Sequence, residues 1–130
     1  MKAKVLYIED NTQNFYLVNF ILSAAGYEVL WAKDGPEGVE KAALGWADLI
    51  LLDIQLPGMD GYAVAEALRG RPALARTPIV ALTSYAMAGD REKALAAGCT
   101  GYIEKPIDPA AFAAQVEQHL LAAQAKGENA

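Results

Sequence analysis

Asp48-Leu49-Ile50-Leu51-Leu52-Asp53-Ile54-Gln55-Leu56-Pro57-Gly58-Met59-Asp60-Gly61 decides how this chain is read. Leu49 to Leu52 are apolar without interruption, Asp53 is a carboxylate, and Pro57-Gly58 and Asp60-Gly61 break the pattern. A short apolar run bounded by turn residues describes a strand buried on both faces. Such a strand delivers Asp53 to its carboxyl end, the edge of an open parallel α/β sheet where ligands and chemistry sit. Taken alone, the stretch leaves two roles for Asp53 level: a reactive group, or a cap for the turn that follows.

Working outward, the flanking segments alternate in the same way. Lys4 to Ile8 is β-rich and ends in Glu9-Asp10-Asn11. Asn11 or Thr12 then caps a helix whose inner face carries Val18, Ile21, Leu22 and Ala25, and Gly26 ends it. Tyr27–Ala32 is a second strand. Asp34-Gly35-Pro36-Glu37 starts a second helix, with Val39, Ala42 and Ala43 inward and Gly45 at its close. After Asp48–Gly61 comes a helix from about Tyr62 to Leu68, then a loop over Arg69–Thr77. Pro78–Thr83 is a fourth strand, and a helix from Met87 to about Ala97 follows, stopped by Gly98. Thr100–Ile103 is a fifth strand. Asp108-Pro109 reads as an N-cap with proline at the first helical position, and Phe112, Val116 and Leu120 recur at helical spacing. Ala122–Ala130 has no apolar pattern and is expected to fray.

Strands separated by helices imply right-handed crossovers and a parallel sheet. The expected fold is α/β: a (βα)5 doubly wound, flavodoxin-like five-stranded sheet in the order 2-1-3-4-5.

Composition narrows the function. The 130 residues make one domain, 54% hydrophobic and 21% charged. A net charge of -5 argues against direct nucleic-acid binding, which needs a basic patch. No apolar run is long enough to span a membrane, and no signal peptide is visible. The single cysteine, Cys99, excludes an internal disulfide and suits a reducing cytoplasm; it reads as a small buried hydrophobe.

The strand ends carry the chemistry. Strand one ends in Glu9 and Asp10, strand three in Asp53, strand four in Thr83 and Ser84, and strand five is followed by Lys105. In the expected strand order these groups converge on one edge. Carboxylates gathered there raise each other's proton affinity unless cations enter. Lys105 supplies one positive charge, and hard oxygen donors without His or Cys point to Mg2+ as the second. The set suits phosphoryl transfer, with Asp53 as nucleophile and Lys105, Mg2+ and the Thr83 hydroxyl on the transferring group. Singly, each residue has a plain alternative: Lys105 solvated, Thr83 an ordinary strand end, Glu9-Asp10 an acid pair favoured by a helix N-terminus. Jointly these alternatives fail, because four separate strand ends offer one complementary set.

These motifs, the acid pair Glu9-Asp10, the loop Asp53…Pro57…Gly61, Thr83 and Lys105-Pro106, resemble the bacterial two-component response-regulator receiver domain, the CheY-like family, over residues 4–121. The resemblance implies a phosphorylation-dependent switch of a phosphorelay, with residues 1–122 as the receiver domain and 123–130 as a tail. It implies that Asp53 is the phospho-acceptor, with Mg2+ held by Glu9, Asp10, Asp53 and the backbone carbonyl of Gln55. Thr83, Ser84 and Lys105 would contact the phosphoryl group, Thr83 and Tyr102 would form the switch, and the bond before Pro106 would be cis. The donor would be a sensor histidine kinase or a histidine phosphotransfer protein. A downstream protein target would meet the fourth helix, fifth strand and fifth helix, with the chain a monomer or a phosphorylation-dependent dimer. Ser84 stands where alanine is commoner in the family, and Gln55 and Tyr85 flank the path of attacking water and tune the phosphate's lifetime. Ala86–Asp90 and Tyr102–Ile107 are most similar to the DivK-like single-domain regulators of cell division and polarity, and also to receiver domains of hybrid kinases.

Other readings follow from the same residues. A receiver cut from a larger hybrid kinase would share every motif. A Mg2+-dependent aspartyl-phosphate phosphatase would carry an aspartate two residues after the nucleophile, where this chain has Gln55. A phosphorylation-independent scaffold would not need the complete set of acids, Thr83 and Lys105. A flavin-binding domain would need a phosphate-binding loop where Glu9-Asp10 repels phosphate.

Overall fold

A computed structural model describes residues 3–56, 60–84 and 88–128. The elements run β1 (Lys4–Ile8), α1 (Thr12–Ala24), β2 (Glu28–Ala32), α2 (Gly35–Ala43), β3 (Leu49–Asp53), α3 (Gly61–Arg69), β4 (Ile79–Thr83), α4 (Ala88–Ala96), β5 (Gly101–Glu104) and α5 (Phe112–Glu128). All strand pairs are parallel and the sheet order is β2-β1-β3-β4-β5, as the alternation of strands and helices implies.

β3 sits at the centre and all five of its residues are buried. Because side chains alternate across a strand, it feeds two cores. Ile50 and Leu52 pack with Leu6, Ile8, Val64 and Leu68 on the face covered by α2, α3 and α4. Leu49 and Leu51 pack with Val5, Val18, Leu22, Phe112 and Val116 under α1 and α5. The uninterrupted apolar run is thus the signature of a strand with helices on both sides. At ~25 cal/mol per Å² of apolar surface, each fully buried leucine stabilises by about 2 kcal/mol relative to exposure.

The caps explain where helices start. Asn11 Oδ1 accepts from Asn14 N at 2.9 Å, Asp34 Oδ1 from Glu37 N at 2.8 Å, and Asp60 Oδ1 from Tyr62 N at 2.9 Å. Gly61 must be glycine: a Cβ there would stand 2.5 Å from the Ile54 backbone. α3 therefore begins hard against the turn that leaves β3.

Several details depart from the sequence reading. On α1, Val18 and Leu22 are buried and Ile21 is half-buried, but Ala25 is the exposed C-cap. On α2, Ala42 is buried while Ala43 faces out; Gly38 takes the inner place because a Cβ would collide with the Ile8 side chain. The loop after α3 contains a 3-10 turn, Pro72–Leu74, whose Leu74 is buried. Asp108 caps a turn ahead of α5: its Oδ1 accepts from Ala110 N and its carbonyl from Ala111 N and Phe112 N. Pro109 lies in that turn and not at the first position of α5. α5 continues through residues 122–128, where fraying is expected, so its backbone stays helical beyond the last buried residue, Leu120. Pro57–Met59 and Tyr85–Met87 lie outside the described residues, so the expectations for Pro57 and Tyr85 and for a helix start at Met87 do too. Cys99 is buried, and burial pushes its thiol up to about 11, which fits a packed small hydrophobe.

Candidate functional site

The carboxyl ends of β1, β3 and β4, with the residue after β5, come together because the register aligns them. Ile8 pairs with Leu52 across β1 and β3, Asp53 with Leu82 across β3 and β4, and Thr83 with Glu104 across β4 and β5. Carried one step along, this register sets Glu9 level with Asp53, Ile54 with Thr83, and Ser84 with Lys105, so the groups leave the sheet within about two residues of one another.

Asp53 is 3% exposed. Its Oδ1 accepts from Lys105 Nζ at 2.8 Å and from the backbone N–H of Gln55 at 2.9 Å. The two roles open for Asp53 are thus compatible: one oxygen caps the turn and also holds the lysine. Lys105 is fixed at both ends, since its backbone N–H donates to Thr83 O at 2.8 Å. The Lys105–Pro106 bond is cis.

Glu9 is buried beside Asp53, and Asp10 is exposed at the mouth. Ligand atoms of the three carboxylates lie within 4.8 Å of one another. Burial, then a hydrogen bond and charge repulsion from Asp53, push the Glu9 carboxyl up to about 7. Glu9 therefore binds a proton more readily than a free carboxyl, and a cation in the pocket would compete with that proton. Only hard oxygen donors are present, and the pocket carries more negative charge than Lys105 balances. The residues fit a divalent cation of the Mg2+ type.

Reading the sequence alone missed the frame around Glu9. Oε1 accepts from Tyr7 Oη and Asn14 Nδ2, both at 3.0 Å, and Oε2 from Asn11 N at 3.3 Å. Trp31 Nε1 donates to the Glu9 carbonyl at 2.6 Å, and Phe15 stacks on the Trp31 ring at 4.4 Å. These bonds hold the Glu9 carboxylate in place beside Asp53. Burial and the neighbouring Glu9 raise the Tyr7 hydroxyl far above its ordinary value, so it stays a donor. The signal in the sequence was the position of Asn14, one turn into α1 and facing back toward β1.

The remaining residues divide between core and rim. Thr83 is buried at the end of β4 and Ser84 is exposed. Ser84 N donates to the side-chain Oε1 of Gln55 at 3.1 Å, a tie between the loops after β3 and β4. Tyr102 is half-buried against the α2–α4 side of the core, and the Arg91 guanidinium on α4 lies 5.5 Å from its ring centroid. Such a contact is worth about 0.5–1 kcal/mol at a partly exposed site.

Comparison with known proteins agrees with this geometry. The response regulator receiver domain profile matches residues 5–117. The polar-differentiation response regulator DivK of Brucella ovis is 37% identical over 120 residues, covering 92% of this chain and 98% of that protein. The chemotaxis response regulator CheY4 of Vibrio cholerae superimposes with a TM-score of 0.86 at 32% identity, covering 92% of this chain and 99% of that one. The receiver domain of a Pseudomonas aeruginosa sensor histidine kinase, with a magnesium ion in its active-site cleft, gives 0.82 at 34% identity, covering 92% and 98%. The phosphatase reading finds no support among these relatives. No helix among the described residues is long and apolar enough to cross a membrane. The chain belongs to the response-regulator receiver family, the phosphorylation-based switches of two-component signalling.

Proposed function

We propose that Asp53 is the phospho-acceptor and that its phosphorylation switches protein–protein contacts. The observation that carries this is the buried Asp53 carboxylate, held 2.8 Å from Lys105 and crowded by Glu9 and Asp10 at one sheet edge. A phosphohistidine on a sensor kinase or phosphotransfer protein is the donor. An Asp53 carboxylate oxygen attacks phosphorus, the phosphorus–nitrogen bond breaks, and the departing imidazole keeps the electron pair and takes up a proton. Lys105 balances charge on the transferred group, while Thr83 and Ser84 approach its oxygens. Asp10, Asp53, the Gln55 carbonyl and Glu9 would hold Mg2+, which would supply electrostatic stabilisation of the phosphoryl oxygens.

Movement of Thr83 toward the phosphoryl group vacates space for Tyr102, which leaves Arg91 and turns inward. That changes the face of α4, β5 and α5 offered to a target in the cytoplasm. The receiver unit is residues 1–122, and the acyl phosphate is lost by hydrolysis within the same site. The magnesium ion in the related kinase receiver supports this use of the acidic pocket.

The test is intact mass after exposure to a small acyl phosphate, with and without Mg2+. Wild type is expected to gain one phosphoryl group only with Mg2+, and Asp53→Asn to gain none. Equal labelling of both proteins, or of neither, would contradict the assignment.

A further inference from the structure

At the opposite end of the sheet lies a cavity of about 460 Å³, large enough for a small ligand. Its charged walls are Arg69 at the end of α3 and Arg76 before β4, with His119 on α5 and the Cys99 thiol as its other titratable groups, and no Asp or Glu among the described residues lines it. That is a concentration of positive charge in a chain whose net charge is -5.

Arg69 is the deepest of the three. Its Nε and Nη2 donate to Gly98 O at 3.1 and 2.8 Å, and its Nη1 to Leu74 O at 2.7 Å and Ala75 O at 3.2 Å. Carbonyl dipoles satisfy hydrogens but bring no net charge. Among the described residues no carboxylate pairs with this half-buried guanidinium, and burial draws its pKa below the ordinary value while leaving it a cation. Of its five N–H donors, one on Nη2 is left for a ligand. Arg76 is exposed at the rim, with no carboxylate partner among the described residues.

The other wall is apolar. Leu95, Ala122 and Ala123 line it, and the His119 ring lies against Gly101, where a Cβ would collide with the imidazole. The absence of a side chain at Gly101 is what lets the ring settle on the start of β5. Burial also pushes His119 below its ordinary value, toward a neutral ring.

We propose that this cavity binds a small organic anion, its phosphate or carboxylate head on Arg69 and Arg76 and its flat or aliphatic body against His119, Leu95 and Ala122. Guanidinium recognition of an oxyanion supplies orientation, and the apolar wall supplies area. The cavity shares no residue with the acidic pocket, so the inference stands independently of phosphorylation at Asp53.

The test is an amide NMR titration of the wild-type chain in metal-free buffer without chelator, with AMP, phenyl phosphate and inorganic phosphate in separate arms. AMP or phenyl phosphate is expected to cause saturable shifts at Leu95, Gly98, Thr100 and Ala123, with inorganic phosphate weaker. Arg76→Glu, an exposed substitution, is expected to weaken binding about tenfold or more while the rest of the spectrum is unchanged. Three results would overturn the proposal: no saturable shift with either organic probe, equal binding by Arg76→Glu, or inorganic phosphate binding as tightly as both.

Discussion

The two ends of the sheet are opposite in charge and alike in design. At the carboxyl end, Glu9, Asp10 and Asp53 crowd together with Lys105 as their one described cationic partner. At the amino end of β4 and β5, Arg69, Arg76 and His119 line a cavity with no Asp or Glu among the described residues. Each end leaves charge unbalanced by protein. The difference lies in how the charge is held. Glu9 and Asp53 are fixed by side chains and turn amides, so adding a cation completes the site. Arg69 is fixed by neutral carbonyls, which position the charge and leave it intact. Unbalanced charge held rigidly is what a protein keeps when something else is to complete it.

The sharpest way to break this comparison is to remove the cation already present at the acidic end. Lys105→Ala strands the buried Asp53 carboxylate beside Glu9, and is expected to cost about 3 kcal/mol in urea unfolding without Mg2+. Mg2+ is expected to restore much of that loss. No loss would mean that Asp53 is better solvated than its burial implies.

The second effect is a pH dependence. Glu9 binds its proton at about 7 in the fold and at 4.5 when free. The folded state therefore gains from protonation. That stability is fully present below about 4.5 and is lost as pH rises through about 7. Thermal unfolding in EDTA is expected to show a falling midpoint over this window, and Mg2+ is expected to flatten the fall. A midpoint that rises over the same window would reverse the sign of the charge balance argued for the acidic end.

At the basic end, Gly101→Ala is expected to cost about 1–2 kcal/mol, because the added methyl meets the His119 ring. Adding His119→Ala is expected to recover most of it. Equal destabilisation in the single and double variants would place the cost in the strand and not in the cavity wall. The smallest effect is Gln55→Ala, which frees the Ser84 amide at a cost of about 1 kcal/mol or less. Faster hydrogen exchange at Ser84 is the expected readout.

Much of the acidic end was legible in the sequence, for a definite reason. Each of its groups sits at the end of an apolar run, and the period-two geometry of a strand makes such ends converge once the strand order is known. Asp53 was left between two roles because one oxygen performs the cap and the ion pair together, which no local pattern separates. Of the frame around Glu9 only the position of Asn14 left a signal; the contacts of Tyr7 and Trp31 depend on side-chain direction across elements. Ala25 and Ala43 were assigned inward because alanine suits either face of a helix, and only packing decides. The basic cavity left no trace: Arg69 and Arg76 flank one loop, His119 lies far along the chain, and each alone reads as solvated surface.

The central claim is that Asp53 carries the phosphate. Reductive trapping tests it at the atom: borohydride converts an acyl phosphate, and not a free carboxylate, to the alcohol. After phosphorylation with Mg2+, peptide mass mapping is expected to find homoserine in place of aspartate at position 53 and nowhere else. Homoserine at another position with Asp53 unchanged would contradict the account.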